Sequence, residues 1–178
     1  MEGFANRPSA CKDRGWFIDY TPFESFAGSW NSDEKIAVVG IGTVVLHVEK
    51  SPELSGPDGN GQLVLHNVLH CPSLFCNIIG YTANFPAKHS VILVPDHTEK
   101  SKGIIEDEGG RPVAYFAPNK ALYLVKLSEP PFGPAIGPSV IGEHGMYQIN
   151  LRWSESEQSR WKGYLQSLIS SLSAMSQS

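Results

Sequence analysis

Asp19 closes the apolar run Gly15-Trp16-Phe17-Ile18-Asp19, so a strand here would deliver one carboxylate at its end. Set in an apolar cavity, with His66 or His70 nearby, it could serve as the acid–base residue of a reaction. The two histidines are four apart, which on a helix would place both on one face for a metal. They lie instead in a strand-like run, where four residues span roughly 13 Å, so one zinc cannot join them without outside geometry. Their plainer reading is strand-end or loop-end histidines facing solvent or a cavity. Cys71 and Cys76 could join His70 as zinc ligands, but the spacing is atypical and Pro72 constrains the loop. Buried structural cysteines are the simpler expectation, with no metal and no cofactor. Trp16, Tyr20 and Trp30 crowd the segment around Asp19. They read either as core packing or as the aromatic wall of a small-molecule pocket. Acyl-transfer chemistry finds no Gly-x-Ser-x-Gly elbow, and "GPDGNG" lacks the lysine and helix start of a phosphate loop.

The elements that would position these groups are short runs rich in β-branched and aromatic residues. They are "WFIDY", "KIAVVGIGTVVLHVEK", "QLVLHNVLH", "HSVILVPD", "GIIED", "RPVAYFA" and "ALYLVKL". Runs this short and closely spaced predict an antiparallel barrel or sandwich rather than alternating β-α units. Gly40 and Gly42 interrupt the longest run and predict a bend or bulge there. "SPELSGPDGNG" reads as a loop rich in turn residues. The near end differs from the far end. Residues 1–14 are polar and pattern-free, which predicts a flexible arm. "EPPFGPAIGPS" is a semi-rigid Pro/Gly-rich linker within 128–145. Residues 146–178 then offer "MYQINL", one further strand, and a helix. In that helix Trp161, Leu165, Leu168, Leu172 and Met175 recur at spacings of three and four. Ser154 and Glu157 have the spacing of a capping box at its start.

Composition narrows the function classes. Apolar residues make up 41% of the 178 and charged residues 18%, which suits one folded domain with an appendage. A net charge of −4 argues against a nucleic-acid binder that neutralises phosphates. No apolar stretch approaches the roughly 18 residues needed to span a bilayer, and the N-terminal residues have no apolar core of a signal peptide. A cytoplasmic protein with Cys11, Cys71 and Cys76 reduced is the expectation.

Several segments together resemble one family. "WFID", "GIGTVVLHV", "LVLHNVLHCPSLFCNIIG" and "ALYLVKL" follow the order and spacing of the protease region of copia-type retrotransposon polyproteins, over residues 15–127. "NVLHCPSLFCNIIG" is the most specific piece. The resemblance implies a small retropepsin-like β-barrel, here followed by a C-terminal amphipathic α-helix. It also implies a homodimer, since retropepsins place one Asp from each subunit side by side, sharing a proton to activate water. The tail "YQINLRWSESEQSRW" lies outside that pattern and suggests a stand-alone, domesticated fungal group.

The chain departs from the family at the catalytic loop. Where the family has Ser or Thr and then Gly after the Asp, this chain has Tyr20 and Thr21, followed by Pro22, which favours extended backbone at Thr21. Asp19 is then either the old catalytic Asp or only nominally equivalent to it. Three functions stay open: a barrel that has lost peptidase activity and acts by binding or assembly; a lyase, isomerase or cyclase that reuses the barrel or dimer cavity for a small hydrophobic ligand; and a residual aspartic peptidase.

Overall fold

The structure, a computed structural model, describes residues 7–29, 33–80, 89–93, 100–128, 140–142 and 151–175. It is mainly β, with two sheets and one C-terminal helix. The strands are β1 (Ala10–Cys11), β2 (Phe17–Gly28), β3 (Lys35–Glu49), β4 (Asn60–His70), β5 (Ser90–Leu93), β6 (Gly103–Glu106) and β7 (Pro112–Tyr115), and the helix is α1 (Glu155–Met175). One sheet has the order β1-β4-β3-β2, the other β5-β6-β7. All neighbours run antiparallel except β1 and β4, which are parallel.

The sheets are stitched together by the chain at 125–128. Val48 bridges Leu127, Phe116 bridges Val125, and Lys126 N–H donates to Tyr115 C=O at 2.9 Å. "ALYLVKL" therefore contributes isolated bridges rather than a full strand. Residues 10 and 11, expected in a polar arm, pair with Leu69 and His70 and are buried. Two residues are too short for period-2 patterning to reveal a strand there. The expected strand at "MYQINL" falls mostly outside the described residues; Leu151 is buried and Arg152 bridges Gly28.

Two apolar clusters fill the interior. One gathers Phe17, Val44, Val48, Leu63, Leu65 and Val68 from the long strands with Ile105, Ala114 and Phe116 from the second sheet. The other sets Phe23, Ala27, Val38, Ile41 and Leu69 against Leu151, Trp153 and Trp161. β2 and β3 are long because β-branched and aromatic residues pack well on a pleated surface, and they carry both clusters.

Candidate functional site

The candidate residues sit where two irregularities coincide. β2 and β3 shift register between Phe17 and Asp19, and β3 and β4 shift between Gly42 and Val44. Thr43 lies at both breaks. Opposite it, Asn67 has φ 54°, a left-handed conformation that asparagine tolerates. Asp19 turns its carboxylate into this break, where Oδ1 accepts the Thr43 N–H at 2.9 Å. The carboxylate thus serves a backbone donor where the strands fall out of register. Thr43 Oγ1 in turn lies 3.3 Å from His66 Nδ1. Asp19 and His66 are both solvent-exposed.

Tyr20 and His70 form a second, separate pair. Tyr20 Oη lies 2.9 Å from His70 Nδ1 and donates to Val39 C=O at 3.0 Å. A phenol has one proton: while it points at Val39, His70 Nδ1–H is the donor to Oη, and when it turns to His70, Nδ1 is the acceptor. The Tyr20, His70 and Phe17 rings pack edge-on or tilted with centroids 5.4 to 5.5 Å apart. The Arg14 guanidinium stands 4.0 Å from the Tyr20 ring centroid, a cation–π contact. Burial raises the Tyr20 phenol above its ordinary value, against the pull of Arg14. Burial also holds His70 below 6.5, only partly opposed by a hydrogen bond to the Lys12 backbone. This imidazole is neutral at neutral pH and poor at holding a second proton.

Two glycines make the arrangement possible. A methyl group at Gly40 would overlap the Tyr20 ring, and one at Gly42 would overlap the Asp19 backbone carbonyl. The Gly-Ile-Gly stretch of β3 is therefore a floor on which the substituted segment of β2 lies flat. Within β2 the residues Asp19, Tyr20, Thr21 and Pro22 pair in continuous register with β3, with Pro22 opposite Gly40. The register shifts on either side, between Phe17 and Asp19 and between Pro22 and Ser25. Pro22 cannot donate to a ladder, which an edge strand tolerates, and β2 is an edge of its sheet.

The sequence grouped Asp19, His66 and His70 as one acid–base set. The structure divides them: His66 reaches Asp19 through Thr43, whereas His70 pairs with Tyr20. Asp19 is exposed rather than set in an apolar cavity. Trp16 is half-buried and packs against the first cluster, as Tyr20 does. Trp30 lies outside the described residues. Cys71 is fully buried, and burial pushes its thiol up to about 12, with a further push from neighbouring Cys11. Cys11 is likewise raised by burial, to about 11. Thiols held protonated this firmly are poor nucleophiles at neutral pH. Among the described residues, no group of three His, Cys, Asp or Glu side chains could hold a metal ion. Arg14 and Thr43 were not legible as site residues. Arg14 lies in the segment read as an arm, and Thr43 matters through the register breaks, which a single sequence does not reveal.

Comparison with known proteins bears on the first half of the chain. Residues 8–84 match the family model described as Pol polyprotein, beta-barrel domain. The match covers β1 to β4 and supports a retrotransposon Pol-derived region there. No curated protein and no solved structure matches the chain. No described helix is long and apolar enough to cross a membrane.

Proposed function

We propose that this chain is a domesticated, copia-type protease barrel that has lost aspartic peptidase chemistry and acts by binding or assembly. The reading divides it into a barrel over 15–127, a linker over 128–145 and a helical appendage over 146–178. One observation carries it: β2 continues as a regular edge strand through Asp19-Tyr20-Thr21-Pro22, with the Asp19 carboxylate engaged by its own neighbour, Thr43 N–H. A paired-aspartate mechanism needs two carboxylates turned toward each other across a dimer and sharing a proton. An Asp that accepts a backbone bond within its own sheet, beside a tyrosine ring lying over Gly40, is arranged for structure. Incubation with a mixed peptide library at acid pH tests the reading. No cleavage dependent on Asp19 is expected; pepstatin-sensitive cleavage abolished in Asp19→Asn would overturn it.

A second reading, small-molecule lyase, isomerase or cyclase chemistry, is favoured by one contact. Tyr20 and His70 form a half-buried hydroxyl–imidazole pair at 2.9 Å, with the imidazole held neutral and so able to act as a base. Native mass spectrometry of protein isolated from its own cells tests it. A small hydrophobic molecule retained by the unaltered chain and lost from Tyr20→Phe would support this use of the pair. An unliganded mass in both would remove it.

A further inference from the structure

The amphipathic stripe of α1 divides halfway along its length. Trp161 is buried in the second cluster and Leu165 packs against it. Past that point the stripe leaves the barrel: Leu168 is 36% exposed, Leu172 67%, and the flanking Tyr164 and Ile169 37% and 64%. The spacing from Trp161 to Leu165, Leu168, Leu172 and Met175 is four, three, four, three, the alternation of a two-helix seam. A barrel-docked surface helix has no need of that repeat beyond its last contact.

Two features say what covers the outer half. From Gly163 to Ser178 there is no charged side chain, so two copies of this surface meet without like-charge repulsion. The same neutrality offers no Lys or Arg to draw the helix onto an anionic lipid surface. The serines also turn inward: Ser167, Ser170, Ser171 and Ser173 donate to carbonyls three or four residues back, at 2.7 to 3.0 Å. Their hydroxyls are satisfied within the helix, leaving the apolar stripe as the feature offered outward.

We infer that the outer half of α1 pairs with the same segment of a second copy, antiparallel, with Leu168 opposite Leu172 of the partner subunit. Orientation follows from the barrel. The seam faces the chain's own barrel at Trp161 and Leu165, so a parallel partner would have to occupy that space. An antiparallel partner overlaps the outer turns alone and carries its barrel away at the far end. Such a contact is isologous, as a twofold dimer requires. It is also short: the ten residues past Leu165 rise about 15 Å, so the interface falls below the roughly 1,200 Å² of stable complexes and the dimer depends on concentration. This inference rests on the assembly reading above and gives it a surface.

Sedimentation equilibrium of the full chain, from about 1 μM to 1 mM, provides the test, since small interfaces bind in the micromolar range or weaker. A concentration-dependent dimer is expected. Leu168→Glu and Leu172→Lys should each weaken it at least tenfold, whereas Ser170→Glu, on the opposite side of the helix, should not. Mixing Leu168→Glu with Leu172→Lys should restore a heterodimer, because antiparallel pairing sets those two positions face to face. That rescue also separates a pairing role from damage to the fold. A monomer throughout the range would overturn the inference, as would binding of the monomer to anionic or neutral vesicles through the same residues. A dimer unchanged by both Leu substitutions would leave assembly standing and remove this surface from it.

Discussion

The two ends of β2 belong to one strand yet are held by different physics. At its far end, Phe23, Ser25 and Ala27 are buried beneath α1 and the segment before it. Phe23 meets Trp161 edge-on with ring centroids 5.1 Å apart, and the Arg160 guanidinium stands 4.5 Å from the Phe23 centroid. Buried Ser25 accepts the Trp153 indole N–H at 2.9 Å and donates to Glu157 Oε2 at 2.6 Å, while Glu157 also receives Arg160. At the near end, Asp19 and Ile18 face solvent, and the carboxylate holds one backbone N–H. Asp19, the carboxylate singled out from the sequence, sits at the near end; the apolar burial sits at the far end, against a segment outside the residues matched to the Pol beta-barrel model. Burial, far more than ancestry, tells where a substitution will be felt.

Removing the main anchor is the strongest way to break that contrast. Trp161→Ala should cost about 3–5 kcal/mol, the usual range for emptying a buried aromatic site, read by chemical denaturation. It also loses the indole bond to Asn67 Oδ1, 3.3 Å away at the β4 irregularity. A cost below about 1 kcal/mol would mean that the helix is not part of the fold's core.

Gly42→Ala asks whether the near end is as permissive as its exposure suggests. Its methyl group would meet the Asp19 carbonyl, a backbone atom that cannot rotate away. A loss of about 3 kcal/mol is expected, the upper part of the range for overpacking. Gly40→Ala meets a side chain instead, so its cost should fall when combined with Tyr20→Ser. A strictly additive pair would contradict the placement of the Tyr20 ring.

Ser25→Ala should cost about 2 kcal/mol, because it strands the buried Trp153 donor and removes one of the bonds to Glu157. The two ends of β2 also differ in their response to pH. Bonds from Arg160 and then Ser25 hold Glu157 below its ordinary 4.5. Its contribution is present above that value and lost as pH falls through the lowered folded value. His70, also lowered, begins earlier: stability declines as pH drops below 6.5 toward its folded value, where burial opposes the charge. Thermal melts should therefore lose stability in two acid steps. His70→Asn should remove the upper step alone and Glu157→Gln the lower alone; an upper step that survives His70→Asn would refute its assignment.

The smallest effect is expected at the residue the family resemblance marks most strongly. Asp19→Asn keeps a carbonyl oxygen that can accept the Thr43 N–H, so about 0.5 kcal/mol or less should be lost. A melting temperature lowered by more than a few degrees would show that the charge at the register break carries weight.

The long strands were legible because their runs are rich in β-branched and other apolar residues and are separated by turn residues. The glycine-marked irregularity in β3 was legible for the same local reason. Ser154 and Glu157 illustrate a half-right signal. Ser154 does accept the Glu157 N–H, at 3.4 Å, but the Glu157 carboxylate leaves the cap to bind Ser25 and Arg160. A capping box is local; that competing partner is 132 residues away in sequence.

Near-neighbour patterning was enough to set a mainly β chain and one amphipathic helix with apolar residues at spacings of three and four. Long-range packing set Asp19 against Thr43, divided His66 and His70 between different pairs, brought Ala10 and Cys11 into the sheet, and left the helix stripe half covered and half open. Those outcomes turn on strand register and on which distant surfaces meet. A shift of one residue between strands exchanges every partner while leaving the local pattern unchanged.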